Sequence, residues 1–465
     1  MQPMTTTVRN EGASTLMPAL DALARDLGGG LVRPGDAGYH ELRRLWNGMI
    51  DKRPAAIARC AGAGDVARAL RAARELGLAV AVRGGGHSIA GQSACDAGLM
   101  IDLSPMKAIT VDPARRVATA GAGVLLGELD AATQAHGLAT TLGVNSDTGI
   151  AGLTLGGGIG RLGRSHGLAC DNLLSAEVVL ADGRIVGASE RENADLFWGL
   201  RGGGGNFGVV TRFTYRLHPL GPAVLGGMLV WDWASAPEAM RLYARFCRQA
   251  PDGVDALGVL LTGPDGRPVF AVSAFFAGSI GDGEAVLAPI RHAAPRPAQD
   301  AVAPCAYTAL QASADGLFPR GRRYWWKSHF LDALEDSAID TLVDWFARVP
   351  SPMTVIGLQL FGGAVARVPV NATAFAHRSA AWDCIPIGIW EDPAQDEANI
   401  AWVRGLWQAM RGFATGGVYV NSLGDEGEER IRAAYGPNYA RLVALKAEYD
   451  PDNVFRANQN IQPRR

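Results

Sequence analysis

A histidine directly behind three glycines, at the end of an apolar run, is the residue of this sequence best placed to do chemistry. The stretch reads Val82-Arg83-Gly84-Gly85-Gly86-His87-Ser88 and follows Leu78-Ala79-Val80-Ala81. Consecutive glycines allow a tight turn with exposed backbone N–H groups, which is how a chain cradles phosphate oxygens without side chains. Arg83 suits an anion, and His87 then stands where bound phosphates end and a reactive group begins. Taken alone, the same residues also describe a glycine turn beside a packed histidine.

A second glycine cluster follows, Gly149-Ile150-Ala151-Gly152-Leu153-Thr154-Leu155-Gly156-Gly157-Gly158-Ile159-Gly160, and a third, Gly202-Gly203-Gly204-Gly205-Asn206-Phe207-Gly208. Within the second, Gly158-Ile159-Gly160-Arg161-Leu162-Gly163 matches G-x-G-x-x-G literally. A dinucleotide fingerprint needs a strand just before it and a long helix opening from it. Here the short polar stretch Arg164-Ser165-His166-Gly167 comes next, then a strand signal from Ala176 to Ala181 that turns at Asp182-Gly183. That hairpin excludes a Rossmann βαβ unit.

With Arg53-Pro54-Ala55-Ala56-Ile57 ahead of the clusters and Tyr449-Asp450-Pro451-Asp452-Asn453-Val454-Phe455 behind them, the sequence resembles the berberine-bridge-enzyme-like flavoproteins nearly end to end. The resemblance implies FAD in a PCMH-type domain of the vanillyl-alcohol-oxidase kind. It implies cofactor contacts from Arg83, Gly84, Gly85, Gly86, His87, Ser88, Gly143, Asn145, Thr148, Gly149, Gly152, Leu153, Gly157, Gly158, Gly160, Val209, Asn458 and Gln459. His87 matches the family position that forms an 8α-histidyl bond to the flavin, for which the imidazole must be neutral. Members with a second, cysteinyl link carry cysteine in Gly-Val-Cys, where this chain has Gly143-Val144-Asn145. An amide cannot form that thioether, so one link is expected.

Thr148 matches a side chain that faces the flavin's oxygen-reactive edge, commonly valine in oxidases. Its hydroxyl resembles the arrangement in monocovalent members of the enterocin Favorskiase type, which use a flavin-N5-oxide. Asp147 or Thr148 could equally cap a helix over the residues that follow. Asp171-Asn172 resembles a position near the dinucleotide end of the cofactor, and Asn206-Phe207-Gly208 the loop that supports the ring. The family's catalytic Tyr-x-Asn-Tyr strand reads Tyr419-Val420-Asn421-Ser422 here. Serine has no useful basicity, so beside Tyr419 the candidates for the substrate are Tyr324 and Gln359, with Trp382 and Trp390 as pocket walls.

The elements that must position these groups mix short strands and helices. Helical spacing covers Thr15 to Leu27 and the stretch from Asp65, expected as its cap, to Gly77. Strands are expected at Leu78 to Val82, Leu99 to Leu103, Val117 to Ala120 and Val209 to Leu217. After His218-Pro219-Leu220-Gly221-Pro222 the texture changes, with strands at Val254 to Leu261, Val269 to Phe276 and Val355 to Leu360, and helices near Pro237 to Arg248 and Asp336 to Val349. The fold class is α+β: an FAD-binding domain over 1–219, an inserted substrate domain of antiparallel sheet covered by helices over 220–412, and a segment over 413–465 returning to the FAD domain.

Composition bounds the function. A net charge of −2 gives no basic footprint for nucleic acid, and no window approaches a membrane span. The polar N-terminus lacks a secretory core, which points to the cytoplasm. Six scattered cysteines suggest reduced, buried thiols and no metal site. The resemblance implies an oxidoreductase that passes hydride from a small or mid-sized aromatic, polyketide-like or alcohol substrate to flavin N5, with O2 as acceptor. An oxygenase using the N5-oxide is the alternative, and a flavin carrier without turnover the third.

Overall fold

The computed structural model describes residues 11–464, so the N-terminal decapeptide lies outside the described residues. A helix over Glu11–Asp26 buries Leu20 and Leu23 against the helix Ala63–Glu75. Gly62 takes the cap position of the second helix, not Asp65. Asp65 lies in the first turn, where it accepts hydrogen bonds from the amides of Ala61 at 2.8 Å and Gly28 at 3.2 Å. A carboxylate there faces the positive helix end and ties the two helices together.

The first glycine run leaves a four-stranded sheet ordered Leu31–Val32, Ala56–Arg59, Leu99–Asp102, Val80–Arg83. The last three strands are parallel, so residues 84–86 emerge at their common carboxyl end, the usual ligand side of a parallel sheet. A second, antiparallel sheet is ordered Ile109–Asp112, Val117–Gly121, Val209–Arg216, Leu173–Val179, Ile185–Ser189. Its last two strands form the expected hairpin. Only the four-residue helix Gly163–His166 follows the G-x-G-x-x-G match.

Between Ala223 and Trp390 the chain builds a nine-stranded sheet, with Val254–Thr262, Val355–Leu360 and Trp382–Trp390 as consecutive antiparallel neighbours. Side chains alternate across it. Leu358 and Cys384 point to one face and join a core with Met240, Leu287, Leu342 and Leu406 from four covering helices, Ala236–Gln249, Ile280–His292, Asp336–Phe346 and Asp396–Ala409. Leu257, Gln359, Asp383 and Phe330 form a cross-strand row on the other face. Phe330 packs into the core that contains Ile150 and Leu155 of the second glycine cluster, so that row faces the half that carries the glycine clusters.

Trp382 and Trp390 lie on the helix side: Trp382 packs at 5.2 Å on Tyr243, and the Trp390 indole donates to Asp396 at 2.6 Å. They are packing residues, and the expected aromatic walls come from elsewhere. All six cysteines are unpaired, five buried and Cys305 half-buried. Among the described residues no helix is long and apolar enough to cross a membrane.

The tail closes the fold through Lys446, which is fully buried in the helix Tyr439–Tyr449. It donates to Asp450 at 2.6 Å and to the carbonyls of Asn206 at 2.9 Å and Phe455 at 2.8 Å. Removing one partner of a buried pair strands the other charge. Lys446→Met is expected to cost about 3–5 kcal/mol, read as a lower midpoint in urea unfolding; an unchanged midpoint would refute the pair's role.

Candidate active site

A cavity of about 370 Å³ lies among the three glycine clusters and the tail. Gly84, Gly85, Gly86, His87 and Ser88 line it, with Thr148, Gly149, Gly152, Leu153, Val209, Asn458 and Gln459. Among the described residues no Lys, Arg, Asp or Glu joins this lining. Gly85 and Gly149 touch back to back, and a Cβ on either would drive into the other's amide nitrogen. At Gly152 and Gly205, which also line the cavity, an added Cβ would meet nothing within 4 Å. The walls are therefore backbone pressed together behind and open in front.

Six expected contacts lie outside the lining: Arg83, Gly143, Asn145, Gly157, Gly158 and Gly160. The Arg83 guanidinium donates to the Leu42 carbonyl. Gly158 N–H donates to the Tyr419 hydroxyl at 3.0 Å, and Gly160 packs on the Leu142 carbonyl. The second cluster thus meets the cavity through its first half and braces the fold with its second. Asp171 and Asn172 also stand away from the cavity: Asp171 pairs with Arg378 at 2.6 and 2.8 Å, and Asn172 meets His218 at 2.7 Å. Asn206 is a buried brace, donating to the carbonyls of Gly203 and Gln459 and accepting from Ile461 N–H.

His87 stacks on Trp46 at 4.9 Å, and Trp46 is itself stacked on Tyr324 at 3.7 Å. Burial pushes the His87 pKa down, opposed by Asp147, which leaves the imidazole neutral at pH 7. Asp147 Oδ1 lies 2.6 Å from Nε2, and the Thr148 hydroxyl 3.4 Å from Nδ1. On the far side of Asp147, Arg320 Nε sits 2.8 Å from Oδ2. Burial raises the Asp147 pKa, yet His87 and Arg320 outweigh it and hold the carboxyl below its usual range. Neither Asp147 nor Thr148 caps a helix: Ile150–Leu155 starts from Gly149 without a side-chain cap, and Ile150 N–H donates to Val124 at 3.0 Å.

The candidates for substrate chemistry divide. Tyr419 lines the cavity, but its hydroxyl accepts from Gly158 N–H and from Asn421 at 2.8 Å, and burial pushes its pKa up. Residues 420–422 form a 3-10 turn where the family pattern implies a strand. Tyr324 is fully buried behind Trp46 and donates to the Pro319 carbonyl at 2.6 Å. Gln359 lies on the side of the sheet turned to the glycine clusters, as its alternation with Leu358 and Leu360 requires, but outside the lining.

Two residues escaped sequence reasoning. Trp326 lines the cavity with its indole N–H buried and unpartnered. Asp383, between Gln359 and Phe330, is fully buried with both carboxylate oxygens lacking an aligned partner, and burial lifts its pKa to about 8. A buried polar group without a partner is expensive, and its retention suggests use. One charged residue inside Trp382-Asp383-Cys384-Ile385-Pro386-Ile387 was the available signal.

Residues 54–189 match the family described as FAD binding domain, and residues 418–462 that described as Berberine and berberine like. The chain is 33% identical over 452 residues to (R)-6-hydroxynicotine oxidase of Paenarthrobacter nicotinovorans, covering 94% of this chain and 97% of that one. The chain belongs to the berberine-bridge-enzyme-like family of FAD-linked oxidoreductases. This flavoprotein is also 32% identical over 438 residues to an FAD-linked oxidoreductase of Dictyostelium discoideum, at 93% and 94% coverage. It superposes on the crystal structure of 6-hydroxy-D-nicotine oxidase from Arthrobacter nicotinovorans with a TM-score of 0.87, at 29% identity and 94% and 98% coverage. The cavity fits FAD on its own evidence, since side-chain-free walls at Gly152 and Gly205 leave room that any other residue would fill. In this flavoprotein the backbone of residues 84–88 and 204–205 would hold the cofactor, with the tail closing over it.

Proposed function

We propose that this flavoprotein is an oxidase carrying FAD on a single link through His87, and that it oxidises a small or mid-sized aromatic, polyketide-like or alcohol substrate with O2 as electron acceptor. FAD supplies the hydride-accepting N5 and the reaction with oxygen. The observation that carries the reading is a neutral, Trp46-stacked His87 at the wall of a glycine-lined cavity. Residues 1–219 and 413–465 are assigned to the cofactor, and 220–412 to the substrate. Trp326 offers an aromatic wall and one free N–H donor to a ring or hydroxyl. Gln359 and Asp383 share the sheet face turned to the cofactor half, where Gln359 would bind a polar group and Asp383 hold a proton. Tyr419 and Tyr324 position the glycine cluster and Trp46. Anaerobic mixing with a panel of such substrates tests the proposal: flavin bleaching supports it, and no bleaching by any class refutes it.

A second reading, oxygen insertion, is favoured by the Thr148 hydroxyl at the cavity wall and by Ser422 in place of tyrosine. Thr148→Val keeps volume and removes the hydroxyl. Under this reading the variant binds flavin normally and loses labelled oxygen from the product. For an oxidase the label goes only to peroxide, and the variant alters only the reoxidation rate in stopped-flow. Unchanged rates and product would leave Thr148 without a role in oxygen control.

A further inference from the structure

Asp147 stands two residues ahead of the second cluster, yet it is held from the nine-stranded-sheet portion of the chain. Arg320 Nη2 donates to the carbonyls of Gly85 at 2.7 Å and Asp147 at 3.3 Å, while its Nε pairs with the Asp147 carboxylate. Asp315 anchors the preceding residue by accepting from Ser146 N–H at 2.8 Å and from its hydroxyl. The carboxylate is thus fixed against one nitrogen of His87. Nε2 and Asp147 Oδ1 are both buried and lie 2.6 Å apart as a close contact without an aligned hydrogen bond, and neither has a hydrogen-bond partner elsewhere.

A carboxylate fixed at Nε2 keeps the proton of a neutral imidazole there and leaves the lone pair on Nδ1. We propose that Asp147, clamped by Arg320, is a positioning residue for flavin attachment, directing bond formation to His87 Nδ1 and offsetting the positive charge that the imidazole gains as the bond forms. The inference rests on the single-link reading above. One 8α C–H bond and the imidazole N–H bond break, and one C–N bond forms. The electron pair and both protons would pass to the isoalloxazine, and dioxygen, the co-reactant, would remove them as hydrogen peroxide. Alkylation at Nδ1 gives the imidazole a transient positive charge, which the Asp147 carboxylate offsets at 2.6 Å. Asp147→Asn removes that charge and can donate a hydrogen bond to Nε2, which favours the wrong tautomer.

Full-length protein from flavin-depleted cells is mixed with FAD, and intact mass is followed against time. Asp147→Asn is expected to bind FAD with wild-type affinity but to attach it on the order of a hundredfold more slowly, with partial recovery in Asp147→Glu. The flavin peptide of the wild type, digested and examined by NMR, is expected to carry the link on Nδ1. A link on Nε2, attachment by Asp147→Asn at the wild-type rate, or loss of FAD binding in step with attachment would overturn the proposal. A wild-type chain that binds FAD but never gains its mass instead refutes the single-link reading itself.

Discussion

His87→Ala is expected to release all flavin into the supernatant on acid precipitation, whereas the wild-type pellet is expected to stay yellow. The variant still folds and still binds FAD, because the cradle is made of backbone. The Gly85 and Gly86 carbonyls keep their bonds from Arg320 at 2.7 Å and from Trp46 N–H at 3.0 Å, and neither bond involves the imidazole. Trp46 loses one stacking partner but keeps Tyr324 at 3.7 Å and its indole bond to Phe318 at 3.0 Å. Asp147 keeps Arg320. The loss of attachment is therefore complete while the loss of stability is small, a contrast that intact mass and thermal unfolding measure together. Flavin mass persisting on the variant would move the link to another residue.

Deletion from Tyr449 onward is expected to yield insoluble or flavin-free protein. The deletion removes Asp450, among the described residues the only carboxylate on the buried Lys446 ammonium, whose pKa burial already pushes down. It takes away Phe455 and Ile461, both buried in the larger core, and with them the Ile461 amide and Gln459 carbonyl that satisfy Asn206. It also opens the cavity, since Phe455, Ala457, Asn458 and Gln459 form part of its wall. An unpaired buried charge alone costs several kcal/mol, a large share of the stability of an ordinary domain. Soluble, fully yellow protein after this deletion would show the tail to be dispensable, and sedimentation and the visible flavin absorbance decide the matter.

Much of this was legible in the chain. The glycine runs, the histidine behind the first, the hairpin that rules out a Rossmann unit and the change of texture after Pro222 are local signals, and each corresponds to an element of the fold. Cap positions were less legible: Asp65 and Thr148 have capping chemistry, but tertiary partners claim Asp65 and leave the turn at Thr148 to Gly149. Arg83 suits an anion by type, yet which way a long side chain turns depends on the loop above it, here the Leu42 carbonyl. The Asp147–Arg320 pair joins residues 173 positions apart, and no periodicity encodes such a contact. The value of Asp383 depends on which sheet face meets the cofactor half, which only the packing of Phe330 decides.

The clamp made by residues 315–320 on residues 146–147 and on Gly85 bears on recombination between relatives. A chimaera that exchanges substrate specificity by swapping everything between residues 220 and 412 would also exchange the fastening beside His87. Crossover points that leave Asp315 to Trp326 with the parental Ser146, Asp147 and Trp46 keep that fastening intact, and Phe375, which packs on Gly157 and Gly202, has to stay parental with them.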